Sequence, residues 1–298
     1  LAGLGDGWMI HVDAVRRESP AYIAPGVSHF PDPVSAAMDE ERRRFFESRG
    51  TMYEGYFVLT ATWYPPLLAQ AKFTELMFDD DTERPTLEAH YSRLLEQFGK
   101  SLQTLESRLS AVFRMERLGA RHCIREDGAG VTFDDFLSHL HFCVTGIRQP
   151  IQLPSTPTHL DALLGGQELY GGVIPKIGKH FIQVVSIEGF PQESCPGMLS
   201  ALTDLDMEYR WSTRFIFLDR HTADAHMKAY ERKWRQKQHG IIDALLRTGK
   251  EPNADAVAMT NDSSAAIADV QSGLVGGGYY TSAVILMNED RMRLEAAA

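Results

Sequence analysis

Cysteine is scarce in this sequence, and long hydrophobic runs are missing from it. Three cysteines among 298 residues, Cys123, Cys143 and Cys195, are too few and too widely spaced for a disulfide scaffold, which favours a reducing, cytoplasmic setting. No apolar run approaches the roughly 20 residues that a membrane-spanning helix needs. The first residues also lack the pattern of a signal peptide, so we expect no transmembrane segment.

Basic residues are outnumbered by acidic ones. The chain carries 30 Lys and Arg against 40 Asp and Glu, a formal net charge of −10. A protein that binds duplex DNA needs a broad basic surface to displace counterions, so we expect no direct contact with nucleic acid. The 44% hydrophobic content, with 10% aromatic residues, is enough to build cores and excludes wholesale disorder.

Hydrophobic periodicity predicts alternating strands and helices. Two-residue alternation and β-branched runs predict strands at 8–14, 53–64 (buried on both faces), 120–126, 180–190, 208–219 and 277–290. Three- and four-residue steps predict helices at 34–48, 85–118, 132–144 (with Thr132 as N-cap), 196–206, 223–248, 254–273 and in the last residues. Unequal helices and some tight strand-to-strand passages favour an α+β fold of two sandwich units, each of mixed or antiparallel sheet packed with helices in a ferredoxin-like order.

The composition changes between residues 148 and 158, which read "RQPIQLPSTPT". Three prolines, Pro150, Pro154 and Pro157, remove backbone donors and fix φ, as in an extended linker. We therefore predict a first unit over residues 1–147, a linker over 148–158 and a second unit over 159–298.

The segment "GGVIPKIGK" at residues 171–179 resembles a phosphate-binding loop with the wrong spacing. Five residues separate Gly172 from Gly178, and His180 stands where the loop requires Ser or Thr. A functional loop follows a buried strand and opens a helix, whereas a polar segment precedes this one and a strand follows it. The context predicts a turn that leads into a strand.

Histidine and cysteine cluster at His122, Cys123, His139, His141 and Cys143. On a helix His139 and Cys143 share a face, whereas His141 points elsewhere. A zinc site would therefore need His122 or Cys123 to fold back onto that helix. The interpretation that we favour is a half-buried helix with a core cysteine, and it predicts no bound metal.

Carboxylates are concentrated at Asp79–Asp81 and at Asp134 and Asp135. The first group is predicted to be a solvated loop, and the second lies in the first turn of a helix, where negative charge complements the macrodipole. No Gly-x-Ser-x-Gly elbow is present, and no Ser/His/Asp set stands out by its spacing. We assign no catalytic residue.

A local excess of cations follows the middle of the second half. In the strand "EYRWSTRFIFLD" an aromatic face lies opposite a face with two arginines, and the next helix contains "KAYERKWRQKQ". The pattern is typical of either a solvated helix face or a contact with an acidic protein surface or anionic lipid. The candidate contact residues are Arg210, Arg214, Lys228, Arg232, Lys233, Arg235 and Lys237.

Several segments together resemble the N-terminal region of the TrbE/VirB/CagE-type ATPases of conjugation and type IV secretion, and in order and spacing they are closest to the TrbE branch. The most specific run begins "THLDALLGGQELYGG", continues through "GFP", "PGML" and "YRWSTRFIFLD", and ends in the basic "ERKWRQK". Residues 28–47, 56–66, 136–164 and 279–290 are similar as well, so the resemblance spans nearly the whole chain.

The resemblance implies a non-catalytic assembly region that precedes a motor domain with Walker motifs. It implies a homo-oligomer of hexamer type, contact with inner-membrane secretion components, and a peripheral cytoplasmic location at the inner membrane of a bacterium. It implies ATP and Mg²⁺ for the motor domain and no cofactor for this chain. It also implies a truncated chain, which lacks a leading strand and helix and ends inside its last helix.

Two other hypotheses stay open. One is a stand-alone metal-dependent enzyme that uses the His/Cys group, for which bound zinc that depends on His139 or Cys143 would be diagnostic. The other is a peripheral module whose basic helix binds anionic membrane directly, which charge reversal of Lys228, Arg232 and Lys233 would test.

Overall fold

The computed structural model describes residues 4–65, 87–187, 189, 195–238, 254–273 and 275–298. The strands are β1 (Trp8–Glu18), β2 (Tyr53–Trp63), β3 (Ala120–Ile124), β4 (Gly130–Asp134), β5 (Ile151–Gln152), β6 (Leu169–Tyr170), β7 (Lys176–Ile177), β8 (His180–Ser186), β9 (Tyr209–Phe217) and β10 (Gly278–Asn288). The helices are α1 (Pro33–Ser48), α2 (Leu87–Ser110), α3 (Asp135–Thr145), α4 (Arg220–Gln238), α5 (Ala254–Ser272) and α6 (Arg291–Ala297). Two 3-10 turns cover Leu160–Leu163 and Ser200–Thr203.

The strands form two sheets. A seven-stranded sheet has the order β2-β1-β9-β10-β8-β7-β6, and a three-stranded sheet has the order β3-β4-β5. The ladders of β8 with β10, β8 with β7, β7 with β6, β3 with β4 and β4 with β5 are antiparallel. The predicted α+β class with antiparallel sheets is confirmed, whereas the two sandwiches in ferredoxin-like order stay a prediction.

Contacts divide the chain into two compact units, and each unit is discontinuous in sequence. The first comprises Leu1–Val12, Leu59–Phe113 and Thr213–Thr281, and the second comprises Asp13–Val58, Arg114–Ser212 and Ser282–Ala298. The division into residues 1–147 and 159–298 stays a prediction, and it differs from this grouping because each compact unit takes residues from both sides of 148–158. Within that predicted linker, Ile151 is buried and pairs with Asp134.

The core of the first unit is built around aromatic side chains. Trp8, Ile10 and Phe217 are buried together. Trp8 stacks on Trp63 with ring centroids 5.8 Å apart, and on Phe98 of α2 at 5.7 Å. Stacked aromatic pairs at such distances stabilise a core beyond their area burial, so they anchor α2 to β1 and β2.

The core of the second unit lies between β10 and the C-terminal helix. Met207, Val284, Leu286 and Leu294 form one buried cluster, and Leu294 of α6 is fully inaccessible to solvent. Val284 and Leu286 are two residues apart in β10 and therefore point to the same face of the sheet. This face is opposite to the one that carries Ile285 and Met287.

Helix α3 begins and ends at residues suited to the task. Asp134 is the N-cap, and its side chain accepts a hydrogen bond from the backbone N–H of Leu137 at 2.8 Å. The prediction of Thr132 as N-cap is wrong because Thr132 pairs with His122 in the β3–β4 ladder. Gly146 ends the helix with φ of 74°, a left-handed conformation that glycine adopts without strain.

The near-phosphate loop is a hairpin. Lys176 and Ile177 of β7 pair with Phe181 and His180 of β8, and Gly178 lies in the turn with φ of 55°. The prediction of a turn that leads into a strand is confirmed. A loop that is closed by an antiparallel ladder does not open a helix, so it lacks the setting in which backbone N–H groups wrap phosphates.

Two predicted elements differ in extent or burial. The strand at 53–64 is not buried on both faces, because β2 is an edge of the sheet and Phe57 is 78% exposed. The helix predicted over 85–118 ends at Ser110, and Val112 beyond it is 76% exposed rather than part of an apolar stripe.

Two predictions extend beyond the described part of the chain. The helix predicted over 223–248 begins earlier, at Arg220, and its residues 239–248 lie outside the described residues. The acidic run Asp79–Asp81 also lies outside them.

Candidate functional site

The basic face of α4 is exposed in the part of the helix that the structure describes. Lys228 forms an ion pair with Asp224 one turn earlier, with Nζ and Oδ2 2.6 Å apart. Arg232 donates to the backbone carbonyl of Lys228 at 3.3 Å, and Lys233 is exposed. The side chains of Arg235 and Lys237 lie outside the described residues.

Helix α4 is held in place by its start and by its neighbour α5. Asp219 accepts a hydrogen bond from the backbone N–H of Thr222 at 2.7 Å, which lowers the pKa of the Asp219 carboxyl. Along the helices, Gln271 donates to Asp224 at 2.8 Å and Ser264 donates to Glu231 at 3.1 Å. The cations at positions 228, 232 and 233 therefore stand on a supported helix.

The two arginines of β9 have different surroundings. Arg214, in the first unit, is exposed and donates to the hydroxyl of Thr281 at 3.1 Å. Arg210, in the second unit, has a side chain only 17% exposed and forms an ion pair with Asp13 at 2.8 Å. The seven candidate contact residues thus include one arginine that an internal carboxylate already holds.

Asp13 is the centre of a buried polar cluster within the second unit. Its Oδ1 accepts from Nη1 of Arg210 at 2.8 Å, and its Oδ2 lies 3.4 Å from Nε2 of His139. Nε2 of His139 is also 3.5 Å from Sγ of Cys143. Arg210 further donates from Nη2 to the backbone carbonyl of Cys143 at 3.3 Å, so β1, β9 and α3 are joined at this point.

The protonation states of the cluster follow from these contacts. Burial alone would raise the pKa of Asp13, but hydrogen bonds from His139, Arg210 and Ser212 outweigh it and lower the pKa to about 2. Burial alone would lower the pKa of His139, but its hydrogen bonds with Asp13 and Cys143 raise the pKa to about 9. Near pH 7 the cluster therefore contains a carboxylate between two cations.

This arrangement does not support nucleophilic catalysis by Cys143. In a catalytic triad the carboxylate binds one imidazole nitrogen and the nucleophile binds the other, which lets the ring carry a proton between them. Here both Asp13 and Cys143 face the same atom, Nε2 of His139. Three possible ligand atoms instead converge, each within 4.8 Å of the others.

The other members of the predicted His/Cys group lie apart from this cluster. His122 is exposed in β3, and its Nδ1 is 2.8 Å from the hydroxyl of Thr132. Cys123 is half-buried in the same strand. His141 is 4% exposed, and neither of its ring nitrogens has a partner among the described residues.

Sequence reasoning identified the pair His139 and Cys143 on one helical face, but it missed Asp13. It also proposed His122 or Cys123 as the third group, whereas the residue that meets the pair is Asp13. One sequence signal was available. An acidic residue in the middle of an apolar strand is buried only when a cation or a hydrogen-bond network meets it, and β9 contains two arginines.

No helix in the described part of the chain combines the length and the apolar character needed to cross a membrane. This agrees with the expectation from hydropathy for those residues.

Comparisons with known proteins place these observations in a family. The family described as "Type IV secretion system ATPase VirB4/TrbE, N-terminal domain" matches residues 1–71. The family described as "CagE, TrbE, VirB family, component of type IV transporter system" matches residues 123–298.

Individual relatives agree with these matches. Conjugal transfer protein TrbE of Rhizobium radiobacter is 37% identical over 297 residues, which are 99% of this chain and 36% of that protein. The second of the two polypeptides that make up the probable conjugal transfer protein TrbE of Sinorhizobium fredii is 36% identical over 203 residues, 67% of this chain and 30% of that polypeptide. The type IV secretion system protein PtlC homolog of Bordetella bronchiseptica is 24% identical over 285 residues, 94% of this chain and 32% of that protein. The chain spans about a third of the length of these relatives, and it belongs to the CagE, TrbE, VirB family of type IV transporter components.

Proposed function

We propose that this chain is the non-catalytic assembly and docking region of a conjugal-transfer type IV secretion ATPase. The observation that carries the proposal is the 37% identity with a conjugal transfer protein TrbE over nearly the whole chain. The match of residues 1–71 to a region described as an N-terminal domain supports the same role. We assign the chain a peripheral, cytoplasmic position at the inner membrane of a bacterium.

ATP hydrolysis, in this proposal, belongs to a motor region outside these residues. The relatives are about three times as long as the matched part, which leaves ample length for a domain that binds ATP and Mg²⁺. The hairpin at residues 176–181 supports this assignment because it lacks the strand-to-helix setting of a phosphate-binding loop. The chain would then act by contact and by transmission of force.

The docking contact is assigned to the exposed cations of α4 and to Arg214. A cluster of solvated cations in a chain of net charge −10 favours a partner with an acidic surface, because complementary charges accelerate and orient association. Arg210 is left out of this surface because Asp13 already holds its guanidinium group. The partner that we propose is a protein component of the inner-membrane secretion complex.

Interference with conjugation tests the docking role. The 298-residue chain would be produced in donor bacteria that carry a related conjugative system, and the frequency of transfer would be measured. We expect the chain to lower that frequency by occupying the docking site. The variant Lys228→Glu/Arg232→Glu/Lys233→Glu should not interfere, since it reverses the charge of the contact.

A charge-matched control separates a local contact from an effect of net charge. The variant Arg49→Glu/Arg125→Glu/Lys179→Glu changes three cations elsewhere by the same amount, and it should interfere as strongly as the parent chain. Equal interference by both variants would contradict the assignment to α4. Binding to phosphatidylglycerol vesicles that the α4 variant loses would identify lipid rather than protein as the partner.

Self-association is assigned to the outer stripe of α1. Val34, Met38 and Phe45 lie along one face of this helix and are 69%, 70% and 53% exposed. The opposite face is held by Tyr22, which donates to Asp39 and stacks on Phe46. A second protomer would cover the outer stripe, since apolar stripes on surface helices commonly mark protein contacts.

Sedimentation of the purified chain tests this contact. Met38→Lys should shift the chain towards the monomer because it places a charge in the apolar stripe, whereas Arg44→Lys on the solvated side should not. Unchanged association in Met38→Lys would rule out this helix as the interface between protomers.

A further inference from the structure

The cluster around His139 has an arrangement that hydrogen bonding alone does not explain. Nε2 of His139 faces both Oδ2 of Asp13 and Sγ of Cys143. A single N–H can point well at only one of these acceptors, because a hydrogen bond weakens steeply when it bends. Three donor atoms that converge on one point are the arrangement in which a metal ion satisfies all of them at once.

The distances between these atoms fit the edges of a tetrahedral zinc site. With Zn–N and Zn–O bonds of about 2.0 Å and Zn–S of about 2.3 Å, the edges are about 3.3 Å from nitrogen to oxygen and about 3.5 Å from nitrogen to sulfur. The corresponding distances are 3.4 Å from His139 to Asp13 and 3.5 Å from His139 to Cys143. The third edge, from Asp13 to Cys143, lies within 4.8 Å and would shorten by a small rotation of either side chain.

Arg210 is compatible with an ion at this point. It binds Oδ1 of Asp13, whereas Oδ2 is the oxygen that faces His139. Carboxylates that bind metals commonly accept a second hydrogen bond of this kind, which fixes their orientation. A carboxylate and a thiolate also supply two negative charges against the one positive charge of the guanidinium group, so the site keeps an attraction for a divalent cation.

We propose that Asp13, His139 and Cys143 bind one Zn²⁺, with water as the fourth ligand. The mixed oxygen, nitrogen and sulfur donors favour zinc over the hard cations Mg²⁺ and Ca²⁺, which take oxygen ligands. Cys143 is partly exposed, which gives the ion and the water a path to the site. The ion clips α3 to β1, and its role is structural because the described residues around it include no catalytic base or nucleophile for a bound substrate.

Cobalt substitution is the first test, and it reports on the ligands directly. The full 298-residue chain would be stripped of metal and titrated with Co²⁺, followed by Zn²⁺. We expect one equivalent of Co²⁺ to give the intense visible bands of a tetrahedral site together with a thiolate-to-cobalt charge-transfer band. Zn²⁺ should abolish both bands, and it should raise the thermal midpoint of unfolding because it binds only the folded chain. A titration without a saturable charge-transfer band would overturn the proposal.

Substitutions assign the thiolate to Cys143. Cys143→Ser keeps the shape of the side chain but should remove the charge-transfer band and weaken Zn²⁺ binding by more than about 100-fold, the upper end of what loss of an outer partner costs. The double variant Cys123→Ser/Cys195→Ser is the matched control and should bind as the parent chain does. Loss of the band in this control, with retention in Cys143→Ser, would overturn the assignment.

Asp13→Asn and His122→Gln complete the set. The first keeps the volume of the side chain and should weaken Zn²⁺ binding, whereas the second changes a histidine outside the cluster and should not. Circular dichroism would confirm that each variant is folded. Parent-like Zn²⁺ binding in a folded Asp13→Asn variant would show that the ion lies elsewhere and would overturn the proposal.

Discussion

Asp13 joins three elements of the second unit through a single carboxylate. Its two oxygens face Arg210 of β9 and His139 of α3, and the residue itself is 4% exposed. A buried charge is tolerated when it is paired and hydrogen-bonded, and removal of one partner leaves the others buried without compensation. The cluster should therefore govern how the stability of the chain depends on pH.

The metal-free chain, in the presence of a chelator, should be most stable between about pH 4 and 6.5. The pKa of Asp13 is lowered from 3.8 to about 2, so its contribution is full above 3.8 and is lost as the pH falls through 2. The pKa of His139 is raised from 6.5 to about 9, so its contribution is full below 6.5 and is lost as the pH rises through 9. Because Cys143, Arg210 and Ser212 face the same two groups, the two contributions are not additive, and each limb should amount to roughly 2 kcal/mol.

Urea unfolding midpoints across this pH range would measure both limbs. Asp13→Asn should flatten both limbs, since the shifts of Asp13 and His139 depend on their mutual contact. His122→Gln, which changes an exposed histidine, should leave the profile as it is. Two unaltered limbs in Asp13→Asn would mean that other groups cause the pH dependence.

Leu294 is expected to contribute strongly to the stability of the second unit. It is fully buried against Met207, Val284 and Leu286. Truncation to alanine removes its transfer free energy and leaves a cavity, so Leu294→Ala should lower the free energy of unfolding by about 2–5 kcal/mol. Met292→Ala on the same helix, where the side chain is 73% exposed, should change it by less than about 0.5 kcal/mol.

At the scale of elements, the end of α3 depends on one glycine. Gly146 has φ of 74°, and a β-carbon there would lie 2.8 Å from Sδ of Met287. Gly146→Ala should therefore lower the free energy of unfolding by about 1–3 kcal/mol, from the left-handed backbone and from displacement of a flexible methionine.

Gly128→Ala provides the matched comparison. Gly128 also has a positive φ of 81°, but a β-carbon added there would meet no described atom within 4 Å. Only the backbone cost of about 1 kcal/mol should remain. An equal loss of stability in the two variants would show that Met287 moves aside without cost.

Elements with a strong local signal could be predicted from the sequence. Helix α1 has the N-cap Asp32 and a proline at its start, and β9 alternates between an aromatic and a polar face. The N-cap of α3 could not be chosen in this way, because Thr132 and Asp134 are both good caps. Only the pairing of Thr132 with His122 in the β3–β4 ladder decides between them.

The buried cluster could be predicted only in part. The spacing of His139 and Cys143 follows from helical geometry, but the contact of Asp13 with Arg210 joins residues 197 positions apart. Periodicity describes one element at a time and contains no information on which strands become neighbours. The exposure of β2 was missed for the same reason, since its place at the edge of the sheet is a property of the whole sheet.

At the scale of the whole molecule, the seven-stranded sheet connects distant parts of the sequence. Strands β1 and β2 precede residues 148–158, whereas β9, β10, β8, β7 and β6 follow them. Because β1 is a neighbour of β9, separation of the chain at 148–158 would expose the unpaired edges of both strands. Exposed edges of long strands commonly lead to aggregation.

Expression of the two halves tests whether 148–158 separates independent domains. We expect residues 1–147 alone and residues 159–298 alone to aggregate or to lack cooperative unfolding, because each half loses its partner across the β1–β9 ladder. Co-expression should restore a soluble complex that unfolds in one transition. Cleavage of the intact chain at an engineered protease site in 155–157 should leave the complex associated, since the sheet and not the linker joins the halves. Two halves that unfold cooperatively on their own would instead support the division that the proline-rich segment predicts, and the pairing of β1 with β9 would then be unnecessary for either of them.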